Sequence, residues 1–376
     1  MPKNIVICCD GTGNQYGQYN TNVVKIFEML ETSPDQILFY DPGVGTGTNN
    51  LIRFFQFFKQ KAVQAFGMDL QRNVEDAYYF LMNNFEDGDR IYLFGFSRGA
   101  HTVRRLACML HDCGLLHRGS ENMISYASYI YLQEKDEATQ KGFRETFARP
   151  CPVFFLGVWD TVSALSSLYP RPKLDGVLSK GLTHAFHAVA IDERRLQFPP
   201  NLFDFSKKLP NQHFEEVWFP GVHSDVGGYY EERGLSNTAL KWMSKKAESL
   251  QLKFKPGSID AIKTDSFDKL HTSWTPLFWV LPNFLYLGAV ACLLLLLEKI
   301  GWPFQSPFTS TFEWLREHWP VIPFILFVAI LLNQRSRRVP KGAKIHRSAK
   351  ARFDNQKKGY RPWSLRNGIH DEDLVD

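Results

Sequence analysis

Four short apolar runs along the chain each end on a polar side chain followed by glycine or another small residue. They are Asn4–Asp10 (NIVICCD), Arg90–Ser97 (RIYLFGFS), Pro152–Asp160 (PVFFLGVWD) and Glu216–His223 (EVWFPGVH), with Ile37–Asp41 (ILFYD) a weaker fifth. Runs of this length that do not alternate with polar residues predict strands covered on both faces, as in a parallel sheet. Between them, Asp69–Met82, Gly99–His111 and Thr238–Gln251 carry helical patterning. The alternation predicts an α/β fold, a mostly parallel, doubly wound sheet with helices on both faces. In such sheets ligands bind beyond the carboxyl ends of the strands. The side chains expected there are Asp10, Ser97, Asp160 and His223.

The pattern changes after Leu270. Trp274–Leu297 contains no charged side chain, which predicts a segment able to span a bilayer's hydrocarbon core. Trp319–Leu332 is a second, shorter apolar stretch, covering about 20–25 Å as a helix. Together they predict a two-segment transmembrane or membrane-inserted hairpin over residues 274–333. It would separate a catalytic domain over 1–270 from a basic closing segment over 334–376 that packs back on that domain. The return requires two crossings or a dip into one leaflet.

Charge sharpens this expectation. The 376-residue chain is 44% hydrophobic and has a net charge of only +5, but the charge is unevenly placed. Eleven Lys/Arg between Arg335 and Arg361 face the single acid Asp354, a local excess of ten positive charges. The remainder is therefore net acidic, which argues against a general nucleic-acid binder. The positive-inside tendency places the catalytic domain and both termini on the cytoplasmic face of a multi-pass membrane protein. The same cations could also hold the domain against anionic headgroups. Cys8, Cys9, Cys108, Cys113, Cys151 and Cys292 lack CxxC pairing and zinc spacing, and read as reduced core thiols. No metal and no cofactor is expected.

Gly95-Phe96-Ser97-Arg98-Gly99 is a G-x-S-x-G placed between a strand and a helix. Gly95 and Gly99 let the backbone turn sharply, lifting the Ser97 hydroxyl into open space with the next N–H aimed at the same point. A serine nucleophile needs a base and an orienting acid. His223 is the only histidine expected to end an apolar strand, and Asp160 ends the strand before it, so the order is Ser97, Asp160, His223. That is the order found in α/β hydrolases. Asp225 and Asp41 are rivals for the acid, and Asp10 is a further active-site candidate. His101, His111, His184 and His187 read as structural histidines. The backbone N–H of Arg98 is one expected oxyanion donor, and that of Gly11 or Thr12, in the CDGTGN turn, the second. DPGVGTGTNN (Asp41–Asn50) lacks the Lys-Ser/Thr of a P-loop and reads as a turn.

With these residues in view, the chain resembles the α/β-hydrolase-like catalytic domain of the first family of type VI secretion lipase effectors. The resemblance rests on CDGTGN (Cys9–Asn14), YDPGVGT (Tyr40–Thr46), GFSRGAHTVRRL (Gly95–Leu106), GVWDTVSAL (Gly157–Leu165), HAVAIDERRLQFPP (His187–Pro200), VWFPGVHSDVGGYY (Val217–Tyr230), GLSNTALKWM (Gly234–Met243), IHRSAKARF and YRPWSL, in order. It implies hydrolysis of phospholipid acyl esters, with Ser97, Asp160 and His223 at the triad positions. The expected function is a membrane-anchored serine esterase of phospholipase A type, its partners being the bilayer that supplies substrate and a protein that restrains it. An esterase or thioesterase acting on a soluble acyl substrate, and a non-enzymatic membrane-bound interaction module, are the alternatives.

Overall fold

The computed structural model describes residues 2–11, 16–43, 60–133, 136–162, 180–195, 198–273, 336–355, 359–365 and 368–376. Residues 1–193, 197–272 and 337–376 form one compact unit, with 194–196 and 273–336 grouped apart. Among the described residues the first unit has ten strands: β1 (Asn4–Cys9), β2 (Gln36–Asp41), β3 (Arg90–Phe96), β4 (Leu115–Leu116), β5 (Ala148–Arg149), β6 (Val153–Trp159), β7 (Leu182–Ala190), β8 (His213–Phe219), β9 (Lys344–His346) and β10 (Leu374–Val375). Eight of them form a sheet in the order β10-β9-β8-β7-β6-β3-β1-β2, and β4 and β5 make a separate antiparallel pair. Every pairing in the large sheet is parallel.

Continuous apolar runs are needed because successive residues of one strand enter two different cores. In β1, Ile5, Ile7 and Cys9 join one cluster, with Leu93 of β3 and with Val74, Tyr78, Leu81, Val103 and Leu106 from two covering helices. Val6 and Cys8 point to the other, with Tyr92, Phe94, Trp159, Val23, Ile26, Leu240 and Met243. The first face is covered by α2 (Gln60–Asn84) and α3 (Arg98–Asp112), the second by α1 (Asn22–Met29) and α7 (Gly234–Ser249), in a numbering where α4 is Ile124–Gln133, α5 Glu137–Phe147, α6 His223–Gly227 and α8 Arg347–Asp354. The period-2 alternation of side chains across a strand makes both faces apolar.

β7 is a central strand that apolar patterning alone does not predict. Its sequence, LTHAFHAVA, carries two histidines and a threonine, and His187 in its middle is fully buried. The fourth predicted strand also ends early: β8 stops at Phe219, and His223 begins α6 instead of closing the strand. The closing segment contributes β9 and β10, short strands at the sheet's edge, where short length limits unwanted pairing.

Among the described residues no helix is long and apolar enough to cross a membrane. This corrects the expected multi-pass placement with the catalytic domain and both termini cytoplasmic. The longest described helix, α2, has 25 residues but carries Asp69, Arg72, Glu75 and Asp76, a load no hydrocarbon core accepts. The two apolar stretches from which the hairpin was expected, 274–297 and 319–332, lie outside the described residues. The basic closing segment also differs from a uniformly solvated face. Arg337 and Arg352 are buried, and Arg352 donates to the Ser266 and Asp268 carbonyls at 2.8 and 2.7 Å.

The start of α8 generates a prediction. His346 is its N-cap, Nδ1 accepting from the Ser348 N–H at 3.2 Å, and its ring stacks on Phe219 at 4.6 Å between centroids. Burial, with Arg347 adding to it and Asp376 opposing it, lowers the His346 pKa to about 4. The ring therefore folds neutral, and its contribution is complete above the ordinary histidine value near 6.5 and lost as pH falls from there toward 4. His346→Asn keeps an N-cap acceptor that does not titrate. Between pH 7 and pH 4.5 the parent should lose about 1 kcal/mol more stability than this variant. Parallel losses in chemical denaturation at the two pH values would refute the capping role.

Candidate active site

The chain runs from β1 outward to β2 and then crosses back to β3 on the other side of β1. The strand order reverses between β1 and β3, and such a reversal opens a crevice at the carboxyl ends. Ser97 stands at that place, one residue beyond β3. Its φ of 57° and ψ of −117° lie outside the ordinary regions for a residue with a side chain. The turn closes because its glycines leave room. A Cβ on Gly95 would meet the Ala100 backbone at 2.6 Å, and one on Gly99 would sit 2.1 Å from the Cys9 carbonyl oxygen. The start of α3 is thereby laid directly over the end of β1.

Ser97, His223 and Asp160 are joined by hydrogen bonds although they are distant in sequence. The Ser97 hydroxyl donates to His223 Nε2 at 2.8 Å, and His223 Nδ1–H donates to Asp160 Oδ2 at 2.6 Å. The imidazole lies between two aromatic rings, tilted on Phe96 at 4.6 Å and edge-on to Phe198 at 5.0 Å. Gly227 of α6 makes this packing possible, since a Cβ there would fall 2.0 Å from the Phe96 ring.

Asp160 follows β6 at φ 38°, a left-handed conformation in a non-glycine residue. Its side chain is wholly buried. Beside the His223 contact it accepts from the Ala190 N–H at 3.0 Å and from Arg337, whose Nη1 reaches Oδ1 at 2.5 Å and whose Nη2 reaches Oδ2 at 3.1 Å. Burial alone pushes this carboxyl up. The Arg337 guanidinium and the His223 contact outweigh it and hold Asp160 well below the usual carboxylate range.

The rivals have other partners. Asp225 accepts from the Val222 N–H at 3.0 Å, closing the start of α6, and from His271 Nδ1 at 2.6 Å. Asp41 accepts from the Gly43 N–H and from Asn73. Asp10 accepts from Thr21 at 2.6 Å, Tyr40 at 3.1 Å and the Gly11 N–H at 2.6 Å. The Gly11 N–H, one of the two expected second oxyanion donors, is bonded to Asp10 in this structure. Thr12 lies outside the described residues. The Arg98 N–H opens α3 immediately after Ser97. His187 uses both ring nitrogens, Nε2 accepting from the Thr161 N–H and Nδ1 facing Glu216. The described cysteines Cys8, Cys9, Cys108, Cys113 and Cys151 are free thiols. Among the described residues no group of three or more His, Cys, Asp or Glu is arranged to hold a metal ion.

Arg337 is the member of this site that sequence reasoning missed. It sits in a run of eleven cations, and no local signal separates it from its solvated neighbour Arg338.

A parallel α/β sheet that holds a strained serine at its strand-order reversal, with an imidazole and a buried carboxylate brought to it, is built as α/β hydrolases are built. The chain belongs to the family of type VI secretion system phospholipase effectors of Tle1-like type, whose catalytic domain matches residues 3–246. It is 36% identical over 230 residues to the uncharacterized protein YEL023C of Saccharomyces cerevisiae, a match covering 55% of this chain and 34% of the yeast protein. The chain therefore spans about a third of the length of that curated relative. Solved structures similar to it include an uncharacterized protein from Pseudomonas aeruginosa (18% identity, 70% of this chain and 49% of that one, TM-score 0.40). A second is the Tle1 effector bound to the VgrG spike of the type VI secretion system (20% identity, 61% and 51%, TM-score 0.38). A third is the propionate-bound esterase Est2 of Thermogutta terrifontis (14% identity, 67% and 85%, TM-score 0.33).

The turn at Ser97 can be tested by packing. Gly99→Ala should destabilise the fold by about 1–3 kcal/mol, because the methyl group meets backbone that cannot give way. It should also slow labelling of Ser97 by a fluorophosphonate at least ~100-fold, since displacement of the hydroxyl by about 1 Å is enough for that. Gly142→Ala, at an α5 position with open space around it, should be neutral or slightly stabilising. Equal labelling rates in the two variants would show that the turn does not depend on Gly99.

Proposed function

We propose that this chain is a serine esterase of phospholipase A type, cleaving acyl ester bonds of phospholipids. The observation that carries the reading is the hydrogen-bonded chain from the Ser97 hydroxyl through His223 to the buried Asp160 carboxylate, in a member of a phospholipase effector family. His223 Nε2 takes the proton as Ser97 Oγ attacks the ester carbonyl. Asp160 holds the proton of the neutral imidazole on Nδ1 and stabilises the imidazolium that forms. The Arg98 N–H, at the amino end of a 15-residue helix, faces the charge developing on the carbonyl oxygen. The imidazolium then protonates the departing lysophospholipid alkoxide, leaving an acyl ester on Ser97. Water, deprotonated by His223, releases the fatty acid and restores the hydroxyl.

The test is hydrolysis of phospholipid in mixed micelles by the parent and by Ser97→Ala, with products separated by mass. The parent should release fatty acid and lysophospholipid in equal amounts, and Ser97→Ala should be slower by at least ~10³-fold, as for other serine nucleophiles. Equal rates would remove Ser97 from the mechanism. Hydrolysis of short soluble esters with no action on phospholipid would overturn the substrate assignment while leaving the chemistry standing.

A further inference from the structure

The span that matches the family ends at residue 246, yet the Asp160 carboxylate is gripped by a side chain from far beyond it. Arg337 is 177 positions from Asp160. Its guanidinium is buried, with 5% side-chain exposure, and its described contacts form a planar fork. Nη1 donates to Asp160 Oδ1 and to the Ala190 carbonyl at 2.9 Å, and Nη2 donates to Asp160 Oδ2 and to the Phe198 carbonyl at 2.7 Å. The same two segments supply other parts of the site. The Ala190 N–H donates to Asp160, and the Phe198 ring packs edge-on to His223.

We infer that Arg337 is a positioning residue of the active site: it sets the plane of the Asp160 carboxylate and ties the Ala190 and Phe198 segments to it, so the site is completed only by the closing segment of the chain. The inference rests on the hydrolase reading above for its kinetic consequence, but not for its geometry. A carboxylate gripped on both oxygens by a bidentate guanidinium cannot rotate about its Cβ–Cγ bond, so Oδ2 stays aimed at His223 Nδ1. Lysine, a point charge on a flexible stem, supplies the charge without the fork.

Arg337 also tunes the proton affinity of the Asp160–His223 pair. The other charged or titratable groups around the pair are Glu193, which accepts the His223 N–H at 3.3 Å, Asp225 with its partner His271, Asp192, which accepts the Gly221 N–H, and His187, which faces Thr161. Arg98 follows Ser97 at the start of α3. Among the described residues, Arg337 is the Arg or Lys in direct contact with Asp160. Removing it raises the proton affinity of the pair, whichever of the two holds the proton, so the imidazole becomes free to act as a base only at higher pH.

The experiment uses the full chain as parent, Arg337→Lys and Arg337→Met, with active sites counted by fluorophosphonate titration and folding checked by thermal melting. Arg337→Met should lower kcat per titrated site at least ~100-fold, with KM within about threefold. Its acid limb of kcat/KM should move upward by about one pH unit or more. Arg337→Lys should keep the acid limb near the parent's and lose about tenfold in kcat, because charge is retained and the fork is not. In parallel, the imidazole of His223 is titrated by NMR on histidine-labelled protein, and Arg337→Met should raise its midpoint. A folded Arg337→Met with the parent's kcat, acid limb and His223 midpoint overturns the inference. So does a variant that only melts earlier, its remaining titrated sites behaving as the parent's. If the parent neither hydrolyses esters nor reacts with fluorophosphonate while the His223 midpoint still moves, the hydrolase reading fails and the positioning role of Arg337 stands.

Discussion

An ionised carboxylate without solvent exposure is the constraint around which this molecule is arranged. Taking Asp160 out of water costs several kcal/mol even after relaxation. The fold offsets that cost with the Arg337 fork, the Ala190 N–H and the His223 imidazole. Asp160 follows β6, and its partners come from three other parts of the chain: the end of β7, the start of α6 and the closing segment. The buried charge is fully compensated only when these parts are assembled around it. The ion pairing of this one side chain and completed folding are coupled.

Backbone strain follows the same logic. Ser97 and Asp160 both adopt positive φ without being glycine, at a cost of about 1–3 kcal/mol each. Each is over-determined by its surroundings. The Ser97 N–H donates to the Trp159 carbonyl, and the Asp160 N–H donates to the Ala188 carbonyl at 2.7 Å. The turn at Ser97 is thus held by β6, whose own end is held by β7. Rigid parallel strands transmit position from one member of the site to the next, and glycines at 99 and 227 allow the helices to seat without displacing them.

Three histidine–carboxylate pairs with buried or partly buried rings lie at 3.0 Å or closer among the described residues: His223 with Asp160, His187 with Glu216, and His271 with Asp225. Their chemistry differs through the remaining ring nitrogen. In His187 it accepts a backbone N–H, and in His271 it faces Glu232 at 3.3 Å. In His223 it meets the Ser97 hydroxyl. The residue types are alike in all three, and it is the third partner that tells them apart.

Much of the architecture is written locally. β1, β3 and β6 are legible because a strand covered on both faces must be apolar at every position, and the G-x-S-x-G turn is legible because its sterics are confined to a few consecutive residues. β7 was hidden by its polar residues, of which His187 finds its partners, the Thr161 N–H and Glu216, only in the folded chain, and His223 was placed on a strand because a three-residue turn separates β8 from α6. Arg337 could not be recognised at all. A guanidinium in a basic run has the same local sequence whether it points to water or into the core, and nothing in spacing or periodicity records a partner 177 residues away. The sequence by itself determined where β1, β3 and β6 end and which side chains, Asp10, Ser97 and Asp160, stand just beyond them. Only the tertiary structure decided which of them are hydrogen-bonded to one another and which distant cation pairs with the buried carboxylate, because desolvation and ion pairing depend on distance in space, and the chain sets that distance only once it has folded.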